Sequence, residues 1–513
     1  MRQRLFGWAR PLGLAAAAAA MIFAADVQRA EAQSGTLRVA VLNDMTNFDP
    51  MQFSTVNFFL IKNLYDSLIE YTEDGQAVPS LATGWEIGDG NTSVTVTLRD
   101  DVTFGATGSA FTAEDVAATW AKAADPTLGR NVYATMGIVR DWEVNGPHSI
   151  TLNFNNPVPD RQILDLLQFT LPLEAAGIET IDTIPAGTGA YVLKERLVGQ
   201  RVVLEANPNY WREGEPKMAE VEFTIFSDDA SAAAALESGA VDLTYMGQSR
   251  TAVRLGNAGF QVIAGPGKLV QVFRINTTRA PFDNSEFRQA FNFLMNRAGI
   301  LRVGYADLGE VTALPWAPAS PAADPSFNEE FAYDIAKAQE MLAASGLSAA
   351  AMSDWRLLVN GSDEASTAIS QVVQGSLAEA GINIDLDIRQ GAEFIDALLS
   401  GDFHAVFGGV GNVQKFPSRL ATNSIYRTAN NPVFGEPHPH PRYVDAIARV
   451  DTTIGTPEEV QAAYDNLNRV MVEEAFGIAT NSYETGLIVA APNVEGFILD
   501  MDNLLVARGL SVR

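Results

Sequence analysis

The sequence has no cysteine among its 513 residues. A chain without cysteine has no disulfides, thiolate metal sites or thiol nucleophiles, which excludes disulfide scaffolds, zinc fingers, iron–sulfur proteins and cysteine enzymes. Basic residues are also few, since 35 Lys and Arg stand against 62 Asp and Glu and give a formal net charge of −27. Because nucleic-acid backbones are bound through clustered Lys and Arg, this balance argues against a nucleic-acid partner.

Recognisable catalytic motifs are missing as well. The sequence has no G-x-S-x-G, no H-E-x-x-H and no P-loop. Among its four histidines, His438 and His440 are closely spaced, but prolines flank both, so we predict no metal site and no cofactor. Carboxylates are numerous enough that a secreted hydrolase with a pair of acids remains an alternative. Nothing in the sequence singles out such a pair, and we expect a binding protein rather than an enzyme.

Long apolar runs are scarce, and the one that stands out lies near the start of the chain. Three arginines within the first ten residues precede an apolar run at 12–25, and Ala30-Glu31-Ala32 follows it. This order is typical of a cleavable secretory signal. The alternative is a membrane anchor, but the run is shorter than the roughly 20 residues that span a bilayer. We therefore predict a signal peptide at 1–32 and a periplasmic mature protein, without a lipid anchor because no cysteine could carry one.

Strand and helix patterns alternate along the rest of the chain. Residues 36–42 read as a buried strand, and 94–98 and 150–154 alternate apolar and polar side chains as half-buried strands do. Helix starts are marked by Thr112 with Asp115 and by Thr456 with Glu459, the spacing of a capping box. Alternating elements of this kind predict α/β lobes with parallel or mixed sheets, and the chain length suggests more than one lobe.

Several short motifs occur in a fixed order along this pattern. They are LATGW at 81–85, LRDDVTF at 98–104, FTAEDV at 111–116, GTGAY at 187–191, NPNYW at 207–211, VEFTI at 221–225, ALESGAVDL at 235–243, Asn276, PFD at 281–283 and FRQAF at 287–291. Each fragment is weak alone, but the ordered series resembles the family 5 extracytoplasmic solute-binding proteins. That is the oligopeptide, dipeptide and nickel group that feeds ABC importers. The resemblance covers nearly all of the chain after residue 32.

The resemblance implies a two-lobed periplasmic binding protein, with an extra subdomain and a ligand cleft between lobes joined by two hinge segments. It also implies a small-molecule ligand, transient contact with a membrane-embedded ABC permease and a monomeric state. The expected ranges are 33–268 plus 485–513 for lobe I, about 76–184 for its extra subdomain, 269–484 for lobe II, and 265–275 and 483–490 for the hinge segments.

One departure from the family bears on the ligand. Peptide-binding members carry an acidic stretch in lobe II, and one carboxylate there pairs with the amino terminus of the peptide. The matching segment at 407–417 reads FGGVGNVQKFP and has no acid. A buried ammonium group without a counter-charge costs several kcal/mol. We therefore expect a small non-peptide solute, carboxylated or hydroxyl-rich and opine- or saccharide-like, with a di- or oligopeptide as the alternative.

Candidate ligand contacts follow from this segment and from its neighbourhood. Asn412 and Lys415 occupy the general position of the missing acid, and Arg427 lies close enough in sequence to add a bidentate contact to a carboxylate. The alternative is that these cations pair with surface acids. Phe407 and Gly409 would line the cleft wall, where a glycine permits close approach of a ligand, or Gly409 would simply mark a strand bulge.

Five further candidates come from the rest of the chain. Asn47 and Phe48 follow the first strand, where clefts form in α/β lobes. Tyr133 and Met136 lie in the extra subdomain, and Trp316 lies on a proline-rich connection of lobe II, where an indole can stack on a ligand ring. Core packing is the alternative for Phe48 and for Trp316. The NPNYW motif is interpreted as structural.

Overall fold

The computed structural model describes most of the chain. The described residues are 35–44, 47–52, 58–72, 75–125, 136–181, 183–246, 248–264, 269–318, 320–411, 417, 420, 437–483, 487–499 and 505–513. The predicted signal peptide therefore lies outside them. Within the described part of the chain, no helix has both the length and the apolar character needed to cross a membrane.

Short and medium strands make up the sheets of the fold. In chain order they are β1 Thr36–Val41, β2 Ile69–Tyr71, β3 Ala77–Pro79, β4 Ala82–Ile87, β5 Ser93–Leu98, β6 Val139–Gly146, β7 Ser149–Phe154, β8 Tyr191–Leu197, β9 Arg201–Ala206, β10 Glu220–Ile225, β11 Leu243–Met246, β12 Gln261–Ile263, β13 Leu269–Ile275, β14 Glu310–Val311, β15 Arg356–Asn360, β16 Asp385–Arg389, β17 Ala405–Val410, β18 Gly477–Tyr483, β19 Leu487–Ala490, β20 Val494–Glu495 and β21 Ser511–Val512.

Helices alternate with these strands as the sequence predicts. They are α1 Phe58–Leu64, α2 Ala113–Ala123, α3 Asp160–Phe169, α4 Asp229–Glu237, α5 Ser249–Asn257, α6 Ser285–Leu294, α7 Arg297–Tyr305, α8 Ser326–Glu330, α9 Ile335–Ala344, α10 Ala349–Met352, α11 Glu364–Glu379, α12 Gly391–Ser400, α13 Pro441–Thr452 and α14 Pro457–Glu474. Short 3-10 helices lie at Pro50–Gln52, Asp89–Asn91, Ala175–Thr180 and Ala507–Gly509.

Both predicted capping boxes are present. The backbone N–H of Thr112 donates to Asp115 Oδ2 at 2.9 Å, and that of Thr456 donates to Glu459 Oε2 at 2.9 Å. These bonds satisfy amide donors at the ends of helices α2 and α14, where no preceding turn supplies an acceptor. The local sequence therefore fixes where these two helices begin.

Two large mixed sheets organise the molecule. The first has seven strands in the order β12-β19-β11-β1-β10-β9-β8, and the second has six in the order β14-β18-β13-β17-β15-β16. A separate four-stranded sheet, β4-β5-β7-β6, is antiparallel throughout. The chain passes from the first sheet to the second between β12 and β13 and returns between β18 and β19. This arrangement confirms the predicted two-lobed α/β fold.

The carboxyl ends of the central strands of both sheets lie near these crossings. In the first sheet β1 runs parallel to β11, whose last residue, Met246, pairs with the first residue of β19. In the second sheet β15 runs parallel to β17, whose last residue, Val410, pairs with Val270 near the start of β13. Because ligands of α/β proteins bind at the carboxyl ends of strands, we expect a ligand site at this edge.

The GTGAY and NPNYW motifs meet at a buried carboxylate in the first half of the chain. Asp66 is 5% exposed and accepts hydrogen bonds from Tyr210 Oη at 3.0 Å, Trp211 Nε1 at 2.9 Å and Thr188 Oγ1 at 3.2 Å. Burial raises the pKa of Asp66 above its usual value. Three donors on one buried acid explain why these residue types occur together, in keeping with the structural interpretation of NPNYW.

Gly189 lies in the same junction and gives a test of its packing. A Cβ atom at Gly189 would overlap the backbone of Asn63 and Leu64. We expect Gly189→Ala to lower the free energy of unfolding by about 1–3 kcal/mol, because overpacking in a close contact forces the backbone apart. Urea unfolding followed by circular dichroism measures this.

Gly375 supplies the matched control. It lies within α11, and among the residues that the structure describes a Cβ atom there would meet no heavy atom within 4 Å apart from its chain neighbours and the backbone of its own helix. We expect Gly375→Ala to leave stability unchanged or to raise it by up to about 1 kcal/mol, as helix propensity favours alanine. Equal effects of the two substitutions would contradict the packing described for Gly189.

Candidate functional site

A cavity of about 800 Å³ opens where the two sheets approach each other. One side of its wall is formed by residues 248–250, which follow β11 of the first sheet. The remaining wall comes from β13, β15, β17 and β18 of the second sheet and from helices α7, α11 and α12. Pockets of about 300–1,000 Å³ bind small molecules, so this cavity has the size and position of a ligand site.

Two stacked tyrosines form part of the cavity wall. The rings of Tyr305 and Tyr483 lie 4.2 Å apart, and Tyr305 Oη donates to Gln271 Oε1 at 2.9 Å. Burial raises the pKa of Tyr483 to about 12 and that of Tyr305 well above its usual value, and the negative charge of Asp363 raises both. Both phenols therefore stay protonated near neutral pH and are equipped to form hydrogen bonds with a polar ligand.

Gly409 determines how closely Tyr483 approaches β17. A Cβ atom at Gly409 would lie 2.8 Å from Tyr483 Oη, which is closer than ordinary contact allows. Gly408 and Gly409 both line the cavity, and their lack of side chains keeps this part of the wall open. The glycine-rich end of β17 thus leaves room for Tyr483.

Two cations lie on the cavity wall in different settings. Arg274 on β13 is only 4% exposed, and its guanidinium carbon lies 5.0 Å from the ring centre of Phe403. Arg250 is exposed and donates from Nη2 to the carbonyl of Val303 at 3.1 Å. This hydrogen bond from Arg250 joins the segment after β11 to helix α7, and so it connects the two sides of the cavity.

Two acids lie where the loop after β15 leads into α11. Asp363 caps that helix by accepting hydrogen bonds from the backbone N–H groups of Ala365 at 3.1 Å and Ser366 at 3.3 Å. Glu364 is the next residue, and both acids are exposed and line the cavity. The cavity therefore presents positive and negative side chains to whatever occupies it.

The structure places the predicted site residues in several different locations. Phe407 and Gly409 line the cavity. Asn47 bonds locally, since its Oδ1 accepts the backbone N–H of Asp49 at 3.1 Å. Tyr133, Asn412, Lys415 and Arg427 lie outside the described residues, so their contact with ligand stays a prediction.

Three other predicted residues are packed away from this cavity. Phe48 is 1% exposed in the core of the first sheet, and Trp316 is 1% exposed in the core of the second, where its Nε1 donates to Asn468 Oδ1 at 2.6 Å. Met136 lines a separate small cavity of about 20 Å³ beside Trp120. In this structure the three side chains serve packing.

Sequence reasoning missed most of the residues that line the cavity. Gln271, Arg274, Tyr305 and Tyr483 carry no local signal, because they lie in a buried strand, at a helix end and at a strand end. The segment at 361–364, which carries Asp363 and Glu364, could have been found. It directly follows the carboxyl end of a strand, the same reasoning that selected residues 43–50.

Metal ligands are not gathered anywhere in the part of the chain that the structure describes, where no three His, Asp or Glu side chains are placed to hold an ion. His440 instead bonds through Nδ1 to Glu474 Oε2 at 2.8 Å and through Nε2 to Thr277 Oγ1 at 3.0 Å. This histidine therefore ties the start of α13 to the end of α14.

Comparison with known proteins assigns the fold and the family. The glutathione-binding protein GsiB of Salmonella typhi is 27% identical over 349 residues, which is 66% of this chain and 65% of that protein, a little under two thirds of its length. The di/tripeptide-binding protein 3 of Pseudomonas aeruginosa is 25% identical over 407 residues, 73% of this chain and 76% of that protein. Among solved structures, the binding protein AgaA of A. tumefaciens R10 in complex with agropinic acid superposes with a TM-score of 0.72 at 20% identity, covering 93% of this chain and 99% of AgaA.

The family model called bacterial extracellular solute-binding proteins, family 5 Middle, matches residues 76–431, which is more than half of the chain. The matched range includes the four-stranded sheet and most of the cavity wall. The motif series of the sequence and the two-lobed fold agree with this match. The chain therefore belongs to the family 5 bacterial extracellular solute-binding proteins.

Proposed function

We propose that this protein is the periplasmic solute-binding component of an ABC importer. It captures a small solute between two lobes and delivers it to a membrane-embedded permease. The observation that carries the proposal is the cavity, whose wall combines residues 248–250 beside the first sheet with residues of the second. A ligand that contacts both lobes binds the closed state better than the open one and so favours closure.

The proposed lobes follow the sequence expectation. Lobe I comprises 33–268 plus 485–513, with its extra subdomain at about 76–184, and lobe II comprises 269–484. The strand memberships support this division, because the seven-stranded sheet draws its strands from 36–263 and 487–490 and the six-stranded sheet from 269–483. The four-stranded sheet at 82–154 supports the extra subdomain.

The proposed ligand is a small carboxylated or hydroxyl-rich solute. Arg250 and Arg274 support the carboxylate, because both lie on the cavity wall and a guanidinium forms charge-assisted hydrogen bonds with an anion. Gln271 and the two tyrosines support hydroxyl recognition, since an amide and phenols both donate and accept. The solved complex of AgaA with agropinic acid shows that this fold accommodates a non-peptide ligand.

A di- or oligopeptide is the second candidate. Asp363 and Glu364 favour it, because carboxylates on the cavity wall could pair with the amino terminus of a peptide. The names of the glutathione-binding and di/tripeptide-binding relatives point to the same class. The proposal has three further parts. The protein is exported through a cleavable signal at 1–32, its mature form is soluble and monomeric, and it catalyses no reaction.

A thermal-shift screen tests the binding function. Purified mature protein is heated with agropinic acid, organic acids, sugars, di- and tripeptides and glutathione, each in turn. We expect a carboxylated compound to raise the Tm, because a ligand at 100 times its Kd stabilises the native state by about 2.7 kcal/mol. Mass spectrometry of the incubated compound should show no conversion. A reaction product would contradict the transport role and favour the hydrolase alternative.

Lys415 gives a residue-level test of the anionic ligand. We expect Lys415→Glu to weaken binding of an anionic compound from the screen at least tenfold, about 1.4 kcal/mol, because a positive charge is replaced by a negative one. Isothermal titration measures the Kd. Lys217→Glu, an exposed site between β9 and β10, makes the same charge change and should leave the Kd unaltered. Unchanged affinity in Lys415→Glu would remove this lysine from the site.

A further inference from the structure

We propose that Gln162 and Asp451 form a latch between the two lobes, which stabilises the closed state from outside the cavity. The proposal rests on the proposed solute-binding function and concerns how strongly the lobes close, whatever the chemistry of the solute. Neither residue lines the cavity. The latch therefore sets the affinity for every solute by a common factor without touching any of them.

The latch is a hydrogen bond between two distant parts of the chain. Gln162 Nε2 donates to Asp451 Oδ1 at 3.1 Å, and 289 positions separate the two residues in the sequence. Gln162 lies on α3, within the proposed extra subdomain of lobe I, and Asp451 lies on α13 of the proposed lobe II. Both residues are half-buried, so water competes only in part for this bond. The contact joins the two lobes without any solute between them.

The surroundings of the latch show that α3 also faces α14. Tyr464 of α14 is 8% exposed. Burial raises the pKa of its phenol above the usual value, and the charges of Arg161 and Asp165 on α3 act on it as well. Charges act in this way only across a short distance. The latch therefore belongs to a small interface between α3 on one side and α13 and α14 on the other.

Helix α3 is fixed to the proposed lobe I. Tyr71 of β2 donates from Oη to Asp165 Oδ1 at 2.8 Å, and the guanidinium carbon of Arg161 lies 4.4 Å from the ring centre of Tyr71. Ile163 and Leu167, one helical turn apart, are fully buried in the same core as the strands of the first sheet. A helix held in this way moves with lobe I and does not follow Asp451 when lobe II moves.

The latch depends on closure because it lies away from the crossings between the lobes. The crossings join β12 to β13 and β18 to β19, and neither Gln162 nor Asp451 belongs to these strands. Rotation of one lobe about the crossings separates groups that lie on opposite lobes. A hydrogen bond is lost once its donor and acceptor are more than about 3.5 Å apart. The bond therefore stabilises the closed state and contributes nothing to the open one.

A contact confined to the closed state changes affinity in a recognisable way. When only the closed state binds tightly, the apparent Kd equals the intrinsic Kd divided by the fraction of molecules that are closed. Loss of the latch lowers this fraction, so it weakens the binding of all solutes by the same factor. A residue on the cavity wall instead affects each solute according to that solute's own chemistry. Equal loss of affinity for unlike solutes therefore distinguishes a latch from a ligand contact.

Substitutions at Gln162 test the latch. Gln162→Ala removes the donor, Gln162→Glu places a negative charge against Asp451, and Gln162→Lys places a positive charge there. Each is made in Lys217→Cys, Glu340→Cys protein that carries a donor and an acceptor dye. Single-molecule energy transfer gives the ratio of closed to open molecules, without ligand and across a titration with agropinic acid. We expect this ratio to fall about two- to tenfold in Gln162→Ala, to fall further in Gln162→Glu and to rise in Gln162→Lys.

Isothermal titration with agropinic acid and with glutathione gives a second readout. We expect each compound that binds the wild-type protein to bind Gln162→Ala more weakly by one common factor, about two- to tenfold. Gln374→Ala is the matched control. This half-buried glutamine donates to the carbonyl of Ile384 at 2.8 Å, so its bond lies within lobe II, and its loss should change neither the ratio of closed to open molecules nor the Kd.

The outcomes separate failure of the latch from failure of the proposed function. An unchanged ratio of closed to open molecules in all three Gln162 variants would overturn the latch and leave the solute-binding function intact. Losses of affinity that differ between agropinic acid and glutathione would also overturn it, because they would make Gln162 a ligand contact. Wild-type protein that binds no compound of the thermal-shift screen would instead overturn the proposed function.

Discussion

The antiparallel pairing of β13 with β18 is the constraint on which the rest of the structure depends. These two strands carry the chain into the second sheet and out of it, and they lie side by side over most of their length. Thr480 Oγ1 adds a bond to the carbonyl of Gln271 at 3.2 Å, beside the register shift between Gln271 and Val272. The crossings are thereby held together, so the carboxyl ends of strands from both sheets lie at one edge and a cavity forms there.

Much of the fold could be predicted from the sequence because its signals are local. Apolar alternation and capping boxes are read within a few residues, and the ordered motifs indicate the family. Two of those motifs meet at Asp66, where Tyr210, Trp211 and Thr188 donate to one buried carboxylate. Their role is to hold the first half of the chain together, which explains why residue types that resemble a binding site are not among the residues that line the cavity.

The site was harder to predict, because it depends on strand order. Phe407 and Gly409 were found since they lie on the segment that the family uses, but Arg274 and Asp363 come from β13 and from the loop after β15. These strands flank β17 in the second sheet, an arrangement that no local periodicity reveals. The segment at 407–417 has no acid, but Asp363 and Glu364 still bring carboxylates to the cavity wall. Trp316 is the opposite case. It was a candidate ligand contact because it lies in a proline-rich connection, but its side chain is buried and packs in the core.

Closure of the two lobes around a solute is the central claim, and the absence of cysteine makes it directly measurable. Lys217→Cys and Glu340→Cys place one exposed thiol on each proposed lobe, so a donor and an acceptor dye can be attached without competing sites. Single-molecule energy transfer is then recorded with and without the compound that raises the Tm. The account predicts a ligand-dependent shift to one narrow efficiency population, as the closed state becomes dominant. An unchanged distribution at saturating ligand would contradict it.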